Sequence, residues 1–174
     1  RSNVNWKDLI LKDGAFSYRG NVNLSGGGST SRYYASISYV EDEGMYKTDT
    51  TLKDKYDTNA NYKRWNYRVN LDIDITPTTV LKLGIGGDLS KRNAPGLGDT
   101  DTWNSLFGYN GILTPVVYSN GYVPMINIGR NDSRTNPWVM TTQTGYHEEW
   151  NNNVQTNVTL EQDLSFITKG LKFT

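Results

Sequence analysis

The sequence contains no cysteine and a single histidine, His147. Disulfide frameworks and thiolate metal sites are excluded, and one imidazole beside Glu148 and Glu149 is too few ligands for a metal centre. Neither charge sign is in excess: 18 Lys and Arg balance 18 Asp and Glu. A neutral chain carries no electrostatic footprint for nucleic acid. Long apolar runs are absent too, none approaching the ~18 residues of a membrane helix, and the mean hydropathy is −0.64. A low average does not exclude a transmembrane barrel, whose strands hide their apolar half in alternation. The opening "RSNVNWKDLI" has no apolar stretch of the signal-peptide kind and reads as mid-protein. The closing "KGLKFT" stops inside a strand pattern, so a longer polypeptide is expected.

What is present is alternation. In "RWNYRVNLDIDI", residues 64–75, Trp65, Tyr67, Val69, Leu71, Ile73 and Ile75 share one parity, and Arg64, Asn66, Arg68, Asn70, Asp72 and Asp74 the other. Successive side chains of a strand point to opposite faces, so this is a strand with one apolar and one charged face. The pattern recurs in "FSYRGNVNLS" with Phe16, Tyr18, Val22 and Leu24, and less cleanly in "RYYASISYV" with Tyr33, Ala35, Ile37 and Tyr39. It returns in "VLKLGIGGDLS" with Leu81, Leu83, Ile85 and Leu89, and in "WNNNVQTNVTLEQDL" with Trp150, Val154, Val158, Leu160 and Leu164. "LKFT" begins another strand. Residues 91–148 lose the alternation, and "TWNSLFGYNG" and "NPWVMTTQTG" within them are each suited to a helical turn or two.

About six strands are therefore expected, with connections that run short, long, short, very long, short. A β-sandwich shows short strands with turns every 8–12 residues. Outer-membrane barrels have tall strands, tight periplasmic turns and long extracellular loops. An unbroken row of Asn, Arg, Asp, Gln and Glu suits a watery lumen, and Tyr18, Tyr39, Trp65 and Trp150 at strand ends suit aromatic girdles. The reading is an all-β, antiparallel up-and-down segment of a transmembrane barrel. The alternative is a soluble antiparallel sheet with one wet face.

The order of several motifs resembles the start of the barrel in SusC-like (SusC/RagA) TonB-dependent transporters. Trp6 and Asp8, Asn21 to Gly26, Tyr33 to Tyr39, and Glu43 with Gly44 fall in the family's order. Tyr62, Lys63, Arg64, Asn66, Arg68, Asn70, Leu71, Asp72, Leu81, Lys82 and Gly84 match its next hairpin. "NPWVMTTQTGYHEEWNNNVQTNVTLEQDLSFITKGLKFT" is similar to the strand after its large external loop. The resemblance implies a 22-stranded outer-membrane barrel closed by a plug that this chain lacks. It implies import of oligosaccharides, or of peptides, with a SusD-like surface lipoprotein over the mouth and TonB supplying energy through the missing N-terminal region. No cofactor and no enzymatic activity are implied. The expected organisation is an external loop at 1–14, two hairpins and a loop at 15–92, a large extracellular loop at 93–148 and a further hairpin start at 149–174. Turns at 26–31, 76–79 and 165–170 should share the periplasmic end, and loops 41–63 and 91–148 the outer end.

Phe16, Tyr18, Val22, Ile37, Tyr67, Val69, Leu71, Ile73, Leu83, Ile85, Val158 and Leu160 are then expected to face lipid. Arg19, Asn21, Arg68, Asn70, Asp72, Asn157 and Glu161 are expected to face the lumen. In the long loop, Trp103, Tyr109, Tyr118 and Trp138 are candidate ligand contacts, with Asp99 and Asp101 as polar partners, because aromatic planes stack on sugars and anchor interfaces. Phe107, Tyr122, Asn120, Asn131 and Asp132 belong to the same polar-aromatic loop. Packing of the loop on itself, or a hold on the lid protein, are the competing readings.

Other chemistry is weakly signalled. The glycines of "GIGGDLS" lie in a strand pattern, not at a strand-to-helix turn, and "GGGSTS" lacks a P-loop lysine. Asp72 with Asp74, and Glu161 with Asp163, each lie on one strand, whereas a glycosidase pair flanks its substrate from different elements. "DTDTW" lacks the further ligands of a calcium loop. A soluble β-sandwich that binds carbohydrate is the second function class.

Overall fold

The computed structural model describes residues 2–48, 56–127 and 133–174. They contain three helices, α1 (Trp6–Ile10), α2 (Asp99–Gly108) and α3 (Pro137–Thr142). The strands are β1 (Ser17–Gly27), β2 (Ser31–Asp42), β3 (Tyr62–Thr76), β4 (Thr79–Pro95), β5 (Ile126–Asn127), β6 (Ser133–Arg134), β7 (Tyr146–Asp163) and β8 (Lys172–Phe173).

Six strands form one sheet in the order β1-β2-β3-β4-β7-β8, while β5 and β6 pair only with each other. Sequence neighbours are thus sheet neighbours, an antiparallel up-and-down meander. The sheet is open, with β1 and β8 at its edges. Tight turns join β1 to β2 and β3 to β4, and the short segment 164–171 joins β7 to β8, at one end of the meander. The long segments leave from the other strand ends, as the alternation of connection lengths predicts.

Local chemistry closes each turn. The Gly28 N–H donates to the Ser31 carbonyl at 2.8 Å. Between β3 and β4, Pro77 and Thr78 form the turn, and the Thr76 hydroxyl donates to Thr79 Oγ1 at 2.7 Å. Proline suits this place because a turn has no ladder hydrogen bond for it to break. After β7, Asp163 Oδ1 accepts from the Ser165 N–H at 2.7 Å, an Asx turn.

Two strands outrun their alternation. β4 continues past Ser90 to Pro95, and β7 begins at Tyr146. The ladder carries them: the Asn93 N–H donates to the Asn61 carbonyl at 2.8 Å, and the Gly96 N–H to the Gly145 carbonyl at 3.0 Å. Here a strand's partners lie elsewhere in the chain, so its own composition does not mark it. The external loop expected at 1–14 also contains a helix, α1.

The chain divides into two compact units. One comprises Tyr18–Glu41, Lys63–Ser90 and Trp150–Thr174, the body of the sheet. The other comprises Arg1–Ser17, Asp42–Tyr62 and Lys91–Glu149. The second has its own core of Trp6, Ile10, Leu11, Tyr46, Leu106 and Tyr109, with Val4, Ala60, Val116 and Trp138 packed against it. Trp6 meets Tyr109 edge-on, with ring centres 5.3 Å apart at 84°, an arrangement that sets the positive ring edge on the negative ring face.

Polar side chains tie that unit's irregular backbone. Asn59 Oδ1 accepts from the N–H groups of Tyr46 and Ala60 at 3.0 and 2.9 Å, and its amide donates to the Gly44 carbonyl at 3.0 Å. The Asn93 amide donates to the carbonyls of Asp57 and Asn59 at 2.7 and 2.8 Å. At α3, Asn136 Oδ1 accepts from the Trp138 N–H at 2.9 Å, and Pro137 occupies the first turn. An Asn cap followed by Pro stops the chain from extending upstream as helix and preorganises the first turn.

Candidate functional site

The sheet body presents two chemically opposed surfaces. On one, Val22, Leu24, Ala35, Ile37, Tyr67 and Val69 line a shallow apolar depression. These side chains are uncovered: Val22 is 68% exposed, Val158 67%, and Ile37, Ile85 and Leu160 are exposed as well. Tyr18 is exposed, while Leu71, Ile73, Leu83 and Tyr67 are half-buried by their strand neighbours. Single exposed apolar residues are ordinary, but a face of them running across adjacent strands marks a surface that contacts something apolar.

At the loop end of this face stands a polar-aromatic border. The rings of Tyr39 and Trp65 lie 5.4 Å apart. The Tyr39 hydroxyl donates to Glu41 Oε2 at 2.6 Å, and Lys63 Nζ lies 3.0 Å from Glu41 Oε1. Apolar bodies below and paired charges above are the requirements of a membrane interface.

The opposite surface is polar. Arg32 donates to both oxygens of Asp74, at 3.0 and 2.8 Å, in a two-pronged pair. Arg64 lies 3.5 Å from Asp88, and Lys82 lies 2.6 Å from Glu161. Ser36, Ser38, Asn66, Arg68 and Gln155 line a pocket on this side. Of the residues expected toward a lumen, Arg68 and Glu161 belong to these groups. Asn157 sits against Gly84, where an added Cβ would fall 2.1 Å from its Oδ1. Arg19, Asn21 and Asn70 are exposed, and Asp72 is half-buried.

The second unit holds the aromatic candidates, and it divides them. Trp103 and Phe107, one helical turn apart on α2, stack with ring centres 5.4 Å apart and planes 7° from parallel. Phe107 is 71% exposed, and Trp103 lies 6.2 Å from the ring of Tyr46. Tyr118 and Tyr122 are exposed, at the two ends of a turn in which the Tyr118 N–H donates to the Tyr122 carbonyl at 2.8 Å. Tyr109, by contrast, is 4% exposed and donates its hydroxyl to the Pro124 carbonyl at 3.0 Å. Tyr109 is a packing residue in this arrangement, because the loop folds on its own core. Trp138 also packs against that core.

Asp99 accepts from Arg92 at 2.6 Å, while Asp101 is exposed in the same first turn of α2. Two carboxylates there complement the positive helix terminus. Burial, and then the nearby Asp99 carboxylate, push the Tyr46 hydroxyl up to about 12. Asn131 and Asp132 lie outside the described residues. Among the candidates, the exposed stacked pair gained a member, Phe107, whose signal is its spacing of four from Trp103 on a helix. Among the described residues no cluster of three or more His, Asp or Glu is arranged to hold a metal.

Over 150 residues the chain is 25% identical to a protein of Formosa agariphila named TonB-dependent receptor P3. The likeness covers 82% of this chain and 14% of that protein, so the chain spans a small part of its relative's length. No family model matches the sequence, and no solved structure matches it. The sequence is thus related, distantly, to that of a TonB-dependent receptor.

Proposed function

We propose that this chain is part of the wall of an outer-membrane β-barrel in a TonB-dependent importer, with its apolar face in lipid and its polar face toward the lumen. The observation that carries the reading is the uncovered apolar surface backed by a surface of ion pairs and amides. An open sheet edge is not tolerated in hydrocarbon, so further strands must complete the wall. The motif order favours the SusC type: a 22-stranded barrel with a plug, a SusD-like lipoprotein at the mouth, TonB as the energy source, and oligosaccharides or peptides as cargo. A carbohydrate-binding β-sandwich would instead need a second sheet over Val22, Ile37, Val69 and Val158.

Single cysteines test the reading directly, since these 174 residues contain none. In outer-membrane vesicles, a water-soluble maleimide should react at positions 66, 68, 70 and 72 and fail at 67, 69, 71 and 73. Reaction at both parities would end the membrane reading.

In the same proposal the exposed aromatics of the long loop contact cargo at the outer mouth, with Asp99 and Asp101 as polar partners. Alanine at Trp103, Phe107 or Tyr118 in the full-length protein should weaken cargo binding while the lid protein still binds. Lost lid binding with cargo affinity unchanged would assign these rings to the lid interface instead.

A further inference from the structure

The polar face carries a cavity of ≈ 350 Å³ that its neighbours do not fill. Gly86 and Gly87 form its floor. Of the two, Gly86 has the parity of Lys82 and Asp88, so its missing side chain is the one on the cavity side; a Cβ on Gly87 would point to the apolar face, toward the Tyr67 ring. At Gly86 a Cβ would lie 3.8 Å from Arg68 Nε, so the guanidinium stem crosses the space this glycine leaves. Ser36, Ser38, Asn66, Asn153 and Gln155 make the walls. Asn66 donates to Ser38 Oγ at 3.1 Å, and Asn153 to Asp88 Oδ1 at 3.4 Å.

Charge sets Arg68 apart. Arg32, Arg64 and Lys82 on this face each have a carboxylate partner. Arg68 has none among the described residues, and Asp88, the carboxylate that lines the same cavity, already faces Arg64. Arg19, likewise without a carboxylate partner among the described residues, is not among the residues that line this cavity. A guanidinium held beside a polar hollow presents a two-pronged donor for a planar anion.

We propose that this cavity binds a uronic acid unit of a carbohydrate, its carboxylate on Arg68 and its ring hydroxyls on the serine and amide side chains. The inference rests on the lumen reading given above. Asp88 and Arg68 apart, the side chains that line it both donate and accept, as the several hydroxyls of a sugar ring do, whereas an acidic peptide side chain brings its carboxylate on an apolar stem. The volume lies at the small end of the ~300–1,000 Å³ of small-ligand pockets, room for one ring and not for a folded segment.

The test uses the full-length protein purified in detergent, carrying Gln155→Cys or Asn70→Cys, and a water-soluble maleimide. A uronic acid trisaccharide should slow labelling at position 155 in a saturable way. Its carboxyl-reduced neutral counterpart should need roughly tenfold more for the same protection, the worth of one charged hydrogen-bonded pair. Adding Arg68→Gln should make the two sugars equal. Equal protection with Arg68 intact, or none from either sugar, would overturn the site. A thiol at 155 that resists labelling while one at 70 reacts would overturn it too, placing protein in the cavity. A thiol at 70 that resists labelling would overturn the lumen reading itself, and the site with it.

Discussion

Replacing Val69 with arginine is the sharpest perturbation of the proposed wall. Val69 lies mid-way along β3, among Val22, Ala35 and Ile37, and is exposed. Burying a guanidinium at the bilayer midplane of a barrel costs about 2–4 kcal/mol, and about 0–1 kcal/mol near the interface. Asn70, the next residue, is exposed on the other face. Asn70→Arg gives up an amide in water for a guanidinium in water, with Asp72 two residues away on the same face, so its cost should be near zero. Ile75→Arg, close to the turn end of the apolar face, should fall between them. The assay is reversible urea unfolding of the full-length protein in lipid vesicles. The gap between the two central variants should be about 2–4 kcal/mol, roughly a 30- to 900-fold difference in the folding constant. Equal costs at 69 and 70 would refute the facing. Equal costs at 69 and 75 would refute the bilayer, because a covered soluble core has no interface for the depth dependence to follow.

Three more outcomes are expected. Gly87→Ala should destabilise by about 1–3 kcal/mol as an overpacked site, since its Cβ would strike backbone at 2.1 Å; Gly86→Ala, with nothing nearer than 3.5 Å, should be nearly silent in the same urea titration. Asn59→Ala leaves the buried Tyr46 N–H, the part-buried Ala60 N–H and the Gly44 carbonyl without this partner, a buried group costing on the order of 1–3 kcal/mol; rapid proteolysis of the 42–62 segment would report it, and an unchanged cleavage rate would refute the network's role. Folding holds the Tyr46 hydroxyl neutral up to about 12, so its contribution is complete below the ordinary tyrosine range, near ~10, and declines as pH rises toward the folded value. Tyr46→Phe should remove that alkaline slope, measured by near-ultraviolet circular dichroism between those limits.

The sheet was legible because its pattern is local. In β3 the side-chain period of two is carried by every residue from Arg64 to Ile75, so the strand and its two chemically opposed faces follow from one stretch. The tight turns were equally plain, at Pro77 and around Gly28. The long loop was not. Whether Tyr109 is core or surface depends on Trp6, more than a hundred residues away and lying in what reads as an external loop. The extra reach of β4 depends on Asn61, whose carbonyl holds Asn93. Such pairings leave no period in either partner. The Trp103–Phe107 stack required knowing that residues 99–108 are helical, which their mixed composition only half suggests.

The border formed by Tyr39, Trp65, Glu41 and Lys63 also fixes a length. From Trp65 to Ile75 the apolar face of β3 spans about ten residues, about 33 Å of strand at ~3.3 Å each. Tilted by ~40°, as barrel strands are, that is about 25 Å along the membrane normal, below the ~30 Å of an average hydrocarbon core. If the sheet is the barrel wall proposed above, this belt matches it to a thin bilayer. In membranes of longer acyl chains the Glu41–Lys63 pair would be drawn into hydrocarbon, and the lipid around the wall would have to compress to meet it. Acyl-chain length is therefore a variable to which insertion of this protein should respond, with short-chain lipids accepting it fastest.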